Sequence, residues 1–291
     1  MQLNRANPEP GRWRFILLLN YFTSGNQTSL PFTAQIGLDS AQVNATGLPN
    51  SPAQKVSVSG GPLRVPITVT NNSALSQAYF ADARLDSLTT LAFGTAPVCL
   101  DGNGNPITQL PFGCWATLLP TQTRTAQFTA SAGAPITMDA FGNTGYLVGF
   151  TGAPDLTAGS IGPNTVAASL TVPEVPWGEW LLDPTLVGPF GAGGAPPTPV
   201  NTNVVAQLKA FDAAVSADSG DLWQDVVFGT STYNPLVLGP GATGTINVTI
   251  TPEASQIGRV VRGAIYVDTF NGTVQTGDEV VAFPYAYTVV K

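Results

Sequence analysis

From Thr245 to Ile250 the chain reads TINVTI, with polar and apolar residues alternating one by one. Only an extended strand, whose successive side chains point to opposite faces, gathers Ile246, Val248 and Ile250 onto one surface. The pattern recurs upstream. Leu63, Val65, Ile67 and Val69 of GGPLRVPITVTNNS share a face and precede a turn at Asn71-Asn72-Ser73. AYFADARLDSL, RTAQFTAS, GYLVGFTG and TVAASLTVPEV continue the series between Gly, Pro and Asn turns. Short strands at this spacing, with no intervening helical pattern, predict an all-β chain of tandem antiparallel β-sandwiches. In the stretch 203–216, Val204, Val205, Leu208, Phe211 and Val215 would also suit a helix. Its Pro-rich approach and its setting among strands favour a strand.

Composition supports this reading and narrows the function. Charged residues are 10% of the chain, against roughly 25% in an average soluble protein, and 31 Gly and 25 Pro replace helix formers. A net charge of −7 and a pI near 4.4 leave no basic patch to neutralise phosphates, which argues against nucleic acid and anionic membrane as partners. No apolar run is long enough to insert in a bilayer. Low charge, abundant Thr and Asn and an acidic pI fit an exported, extracellular protein. Cys99 and Cys114, the two cysteines, are expected to close a short loop as a disulfide worth about 3 kcal/mol. Such a bond suits export. With two thiols and no histidine, a metal site is not expected.

The chain divides into four stretches. Residues 1–48 hold strands at RWRFILLLNY and PFTAQIGLDS, the end of an upstream β-sandwich or edge strands of the next one. Arg12-Trp13-Arg14 before FILLLNYF imitates a signal peptide, but no small-residue cleavage site follows and the apolar residues alternate as in a buried strand. An exported chain opening on strand material reads as a piece of a longer protein. Residues 49–185 are expected to form one sandwich, 186–199 a Gly/Pro linker and 200–291 a C-terminal sandwich.

In GTSTYNPLVLG, Gly229, Thr230, Ser231, Pro235 and Gly239 fall in register with the serine motif of subtilisin-like proteases. A serine hydroxyl needs a base to take its proton, and those sites use an imidazole. This chain has no histidine, and no lysine lies near Ser231 in sequence. The protease motif begins a helix, whereas Gly239-Pro240-Gly241 and a strand follow here. Loop and strand are expected, and no catalytic residue is assigned.

Three other constellations have two readings each. Asp101, Asn103 and Asn105 of DGNGN offer oxygens at alternate positions, as a calcium loop does, and a hairpin turn wants the same residues. Asp218, Asp221 and Asp225 suit a cation or a solvated loop before a strand. Trp177 and Trp180 flank Glu179, as aromatics that stack on sugars or as packing at a sandwich end. No cofactor other than calcium is suggested.

PGATGTINVTITP, VVRGAIYVDTFNG and VVAFPYAYTVV together resemble the last β-sandwich of large secreted subtilisin-like serine peptidases of actinobacteria. PEPGRWRFILLL…PFTAQI, VPITVTNNSALSQAYFADARL and DSGDLW are similar to the accessory modules that precede it. The resemblance implies sandwiches of the fibronectin type III (Fn3)/immunoglobulin-like kind, forming a non-catalytic accessory region. Its Asp/His/Ser peptidase domain would lie upstream as the chain's partner. The modules would stabilise the peptidase, space it, or hold protein substrate. The rival reading is an adhesin-like module that binds carbohydrate, such as a cell-surface polysaccharide, through Trp177 and Trp180.

Overall fold

The computed structural model describes residues 40–97, 115–132, 136–142, 156–158, 167–173, 178–186, 200–272 and 276–291. Cys99, Cys114, the Asp101–Asn105 loop, Trp177, and the expected strands before residue 40 and at GYLVGFTG lie outside these residues.

The chain is all-β, with one short α-helix and one three-residue 3-10 helix (Ala254–Gln256) among the described residues. In chain order the first strands are β1 (Ala41–Ala45), β2 (Asn50–Ser57), β3 (Leu63–Asn71), β4 (Gln77–Phe93), β5 (Ala96–Pro97) and β6 (Trp115–Leu119). Then come β7 (Thr123–Ala132), β8 (Ile136–Gly142), β9 (Leu156–Ala158), β10 (Ala167–Pro173) and β11 (Gly178–Leu186). The last part holds β12 (Val200–Phe211), β13 (Val215–Ala217), α1 (Leu222–Phe228), β14 (Leu236–Leu238), β15 (Thr243–Ile250), β16 (Val260–Asn271) and β17 (Thr276–Val290). The ambiguous stretch 203–216 therefore holds the strands β12 and β13, with a turn at 212–214 between them.

The strands form three sheets. β1-β3-β15-β13 make one, and β5-β6-β11-β8-β9 another. Between them runs β10-β7-β12-β4-β16-β17-β2, with β14 added beside β4. Every pairing is antiparallel except β17 with β2. The alternation read in the sequence sets the register, since Val65 lies opposite Val248 and Ile67 opposite Ile246.

Two cores result. Val65, Ile67, Val69, Ile246, Val248 and Ile250 of the four-stranded sheet pack with Ala81, Ala83, Ile265, Val267 and Tyr287 of the large sheet. Trp115, Leu119, Trp180 and Leu182 of the five-stranded sheet pack with Phe93, Phe128, Val204, Ala206 and Leu208.

The boundary expected at 186–199 does not separate two sandwiches. β12, from beyond it, lies between β4 and β7, and β15 pairs with β3. The two cores share one large sheet, with β4 as its longest strand. The reason is physical. β3, β4 and β7 bury their apolar faces only with β12 and β15 beside them, so each core draws strands from both sides of 186–199. β1, at the edge beside β3, follows the two strands expected in residues 1–48 and coincides with neither of them.

This sharing explains the middle of β4. Residues 79–84 are all buried instead of alternating. Ala81 and Ala83 face the four-stranded sheet, while Phe80, Asp82 and Arg84 face the opposite side. On that opposite side α1 closes the surface, with Trp223 edge-on to Phe80 and to Phe270.

Candidate functional site

Helix α1 begins at Asp221, whose side chain accepts from Trp223 N at 2.8 Å, and ends at Gly229 in the left-handed conformation. Sequence reasoning missed this helix and read its acids as a loop before a strand. The signal was present as an Asp before LWQDVVF and a Gly after it.

The GTSTY loop follows the helix. Ser231 is exposed, has a left-handed φ of 57°, and begins no helix. Residues 229–235 are irregular and lead into β14, as expected. The loop is tied to Asp225, whose carboxylate accepts from the Thr230 hydroxyl, the Thr232 amide at 3.0 Å, the Thr232 hydroxyl at 3.0 Å and the Tyr233 amide. Burial works to raise the Asp225 pKa, and these hydrogen bonds outweigh it, leaving the carboxyl below its ordinary value. Tyr233 packs edge-on against Phe80, and burial pushes its hydroxyl up to about 12.

Gly220 makes the closure feasible. Its φ is +61°, and a Cβ there would lie inside van der Waals contact of the Thr232 carbonyl and 2.8 Å from Tyr233 Cα. Asn234 N also donates to the Ser219 carbonyl at 2.7 Å.

Beneath α1 lies a buried polar network that sequence reasoning also missed. Arg84 Nε donates to Asp82 Oδ1 at 2.5 Å, with both side chains fully buried. Arg84 Nη1 donates to the Lys209 carbonyl at 3.1 Å, and the guanidinium lies over the Phe211 ring at 3.7 Å. Thr121 Oγ1 stands 2.7 Å from Asp82 Oδ2 and 3.0 Å from Asp268 Oδ2. Trp223 Nε1 donates to Asp268 Oδ2 at 2.9 Å. Gln122 Nε2 donates to Glu279 Oε2 at 2.6 Å at the network's edge. The available signal was Asp82 and Arg84, two apart inside an apolar strand of a chain poor in charge.

The carboxylates Asp218, Asp221 and Asp225 do not converge. Asp218 accepts from Asn247 N at 2.9 Å and Nδ2 at 2.7 Å, Asp221 turns inward to cap α1, and Asp225 holds the GTSTY loop. Among the described residues no acidic, histidine or cysteine group is arranged to hold a metal ion. Trp180 is a correction. It is fully buried, 5.1 Å from the Phe128 ring, because its place on β11 points it into the second core. It cannot stack on a sugar. Beside it, burial raises the pKa of half-buried Glu179.

A shallow groove of about 450 Å³ runs along Asn50, Asp86, Lys209, Arg262, Tyr266 and Tyr285. Lys209 is already engaged there, 2.9 Å from the Tyr266 hydroxyl and 3.7 Å from Asp86. Tyr285 donates to the buried Asp212 carboxylate.

No family model matches the sequence, and no curated protein matches it. Among solved structures, the chain is similar to tripeptidyl peptidase 2 at 12% identity and a TM-score of 0.25, over 86% of this chain and 20% of that one. It is also similar to the CBM51-2 and INT domains of Clostridium perfringens ZmpB, at 6% identity and a TM-score of 0.20, over 60% of this chain and 41% of that one. The chain thus spans less than half the length of either of these chains.

Proposed function

We propose that this chain is a non-catalytic accessory region of a secreted subtilisin-like serine peptidase, partnered with a peptidase domain upstream. Its sandwiches stabilise that domain, space it from a surface, or hold its protein substrate. The observation that carries the reading is the setting of Ser231. A serine nucleophile needs a base within hydrogen-bond reach and a fixed, oriented hydroxyl. Ser231 instead follows the C-terminal end of a helix, exposed, in a loop whose hydrogen-bonding groups turn inward to Asp225. The chain offers no imidazole.

The resembling phrases support the same reading. PGATGTINVTITP and VVRGAIYVDTFNG supply β15 and β16, whose Ile246, Val248, Ile250 and Ile265 build the first core. These residues make a scaffold, and a scaffold appended to an enzyme acts through stability and position. The test is to express the chain with the reading frame upstream of Met1. An in-frame peptidase with a longer half-life at elevated temperature when this region is attached supports the proposal. An upstream frame without a peptidase, or equal half-lives with no substrate retained, overturns it.

A further inference from the structure

The three carboxyl groups beneath α1 offer more acceptors than the surrounding donors can fill. Asp82 Oδ1 takes Arg84 Nε, Asp221 Oδ1 takes Trp223 N, and Asp268 Oδ2 takes Trp223 Nε1. Asp221 Oδ2 and Asp268 Oδ1 are buried and receive no hydrogen bond from the described residues. Thr121 has one hydroxyl hydrogen, yet its oxygen is within bonding distance of both Asp82 Oδ2 and Asp268 Oδ2. If it donates to one carboxyl it must accept from the other, and a carboxyl can donate only when protonated. Besides burial, the charge of Asp82 also opposes ionisation of the Asp221 carboxyl. Arg84 Nη2 is also buried beside the cluster without an acceptor among the described residues.

Charge counting agrees. Asp82 and Arg84 come from β4, Asp268 from β16, Glu279 from β17, and Asp221 from the turn before α1. Thr121 and Gln122 come from the turn between β6 and β7, and Trp223 comes from α1. Arg84 is the cation paired in this group, because the Lys209 ammonium turns to Tyr266 and Asp86.

We propose that this cluster is a buried proton-binding site, holding protons on Asp268 and Asp221 in the folded chain at neutral pH. The Asp268 Oδ2 hydroxyl donates to Thr121 Oγ1, and Thr121 donates to Asp82 Oδ2. With both protons bound, the charges left among the three aspartates and Arg84 are those of the Asp82–Arg84 pair.

Burial, followed by the charge of Asp82, raises both the Asp221 and the Asp268 carboxyls well above the ordinary aspartate range. The sign follows by linkage. A carboxyl raised in the folded state contributes stability fully present below its unfolded pKa, and that stability is lost as pH rises through the folded value. The network is therefore tightened by acid and loosened by base. The inference does not depend on the accessory role proposed above.

The test uses the full chain and two variants. Asp221→Asn keeps an N-cap, and Asp268→Asn supplies a neutral isostere. Wild type should show a carboxylic-acid carbonyl band in the infrared at neutral pH, and each variant should lose part of it. In urea titrations from about pH 4 to about pH 8, each retained proton lowers the folding constant by up to tenfold per pH unit. Each variant should remove about one proton's worth of that slope. If Asp268→Asn fails to fold, the wild-type band and Asp221→Asn still decide. No acid band at neutral pH, or wild-type and variant profiles that run parallel, overturns the proposal.

Discussion

Asp82 and Arg84, two residues apart on one face of β4, meet at 2.5 Å with neither side chain reaching solvent. Such a pair adds little over an apolar core, but losing one partner leaves the other charge buried and alone. Arg84→Met should therefore cost about 3–5 kcal/mol. Arg84→Lys should recover little, since a lysine cannot reproduce the flat stack on Phe211 and the bond to the Lys209 carbonyl together. Urea unfolding midpoints measure both variants. A midpoint unchanged in Arg84→Met would show that the pair is not buried in solution.

Gly220→Ala tests the contact between the turn before α1 and the GTSTY loop. The substitution forces a side chain into a left-handed backbone and against Thr232. The two penalties together are about 2–5 kcal/mol. Thermal unfolding should fall accordingly, and amide exchange at Thr232 and Tyr233 should speed up first. A stability within error of wild type would mean that the loop packs elsewhere.

The fold was legible where one face of a strand is buried and the other is not. TINVTI and LRVPITV announce their register because each alternates cleanly, and Val65 and Val248 do face each other across β3 and β15. The partition at 186–199 was not legible, because a Gly/Pro cluster marks a break in regular structure and says nothing about which strands pair across it. β4 hid its role for the opposite reason. With both faces covered, Phe80 through Arg84 lose alternation, and Asp82 and Arg84 look like surface charges until α1 is placed over them. Helix α1 itself, seven residues long, is too short for periodicity to reveal.

Trp180→Ala should empty part of the second core and cost about 3–5 kcal/mol. It should leave any polysaccharide retention untouched at temperatures where the variant stays folded, since Trp180 faces Phe128 and not solvent. Affinity electrophoresis against cell-wall and plant polysaccharides reads this directly. Retention lost on Trp177→Ala, with stability intact, would restore the carbohydrate-binding reading through that residue alone.

Ser231→Ala should change neither stability nor any peptidase readout. The side chain is exposed, and the substitution removes no hydrogen bond that holds the loop, because Thr230, Thr232 and Tyr233 supply those. A fluorophosphonate probe should leave the chain unlabelled, and casein should stay intact. Labelling at Ser231 would show a base that activates it, and the accessory reading would fall.

The loop and the buried network should respond to acid in opposite directions. Asp225 has its folded pKa lowered by donors from Thr230, Thr232 and Tyr233, despite the opposing effect of burial. A lowered carboxyl contributes stability that is present above its unfolded pKa, near 3.8, and is lost as pH falls through the folded value. Below about pH 4, therefore, residues 229–235 should loosen while the strands around Asp82 and Asp268 remain protected. Exchange of the Thr232 and Tyr233 amides, followed as pH is lowered, should rise relative to the β4 amides once intrinsic rates are corrected. Asp225→Asn should show the loosened loop already at neutral pH and should flatten its acid response. Amides at 232 and 233 that stay protected in the variant would show that the carboxylate does not hold this loop, and that the packing of Tyr233 on Phe80 alone suffices.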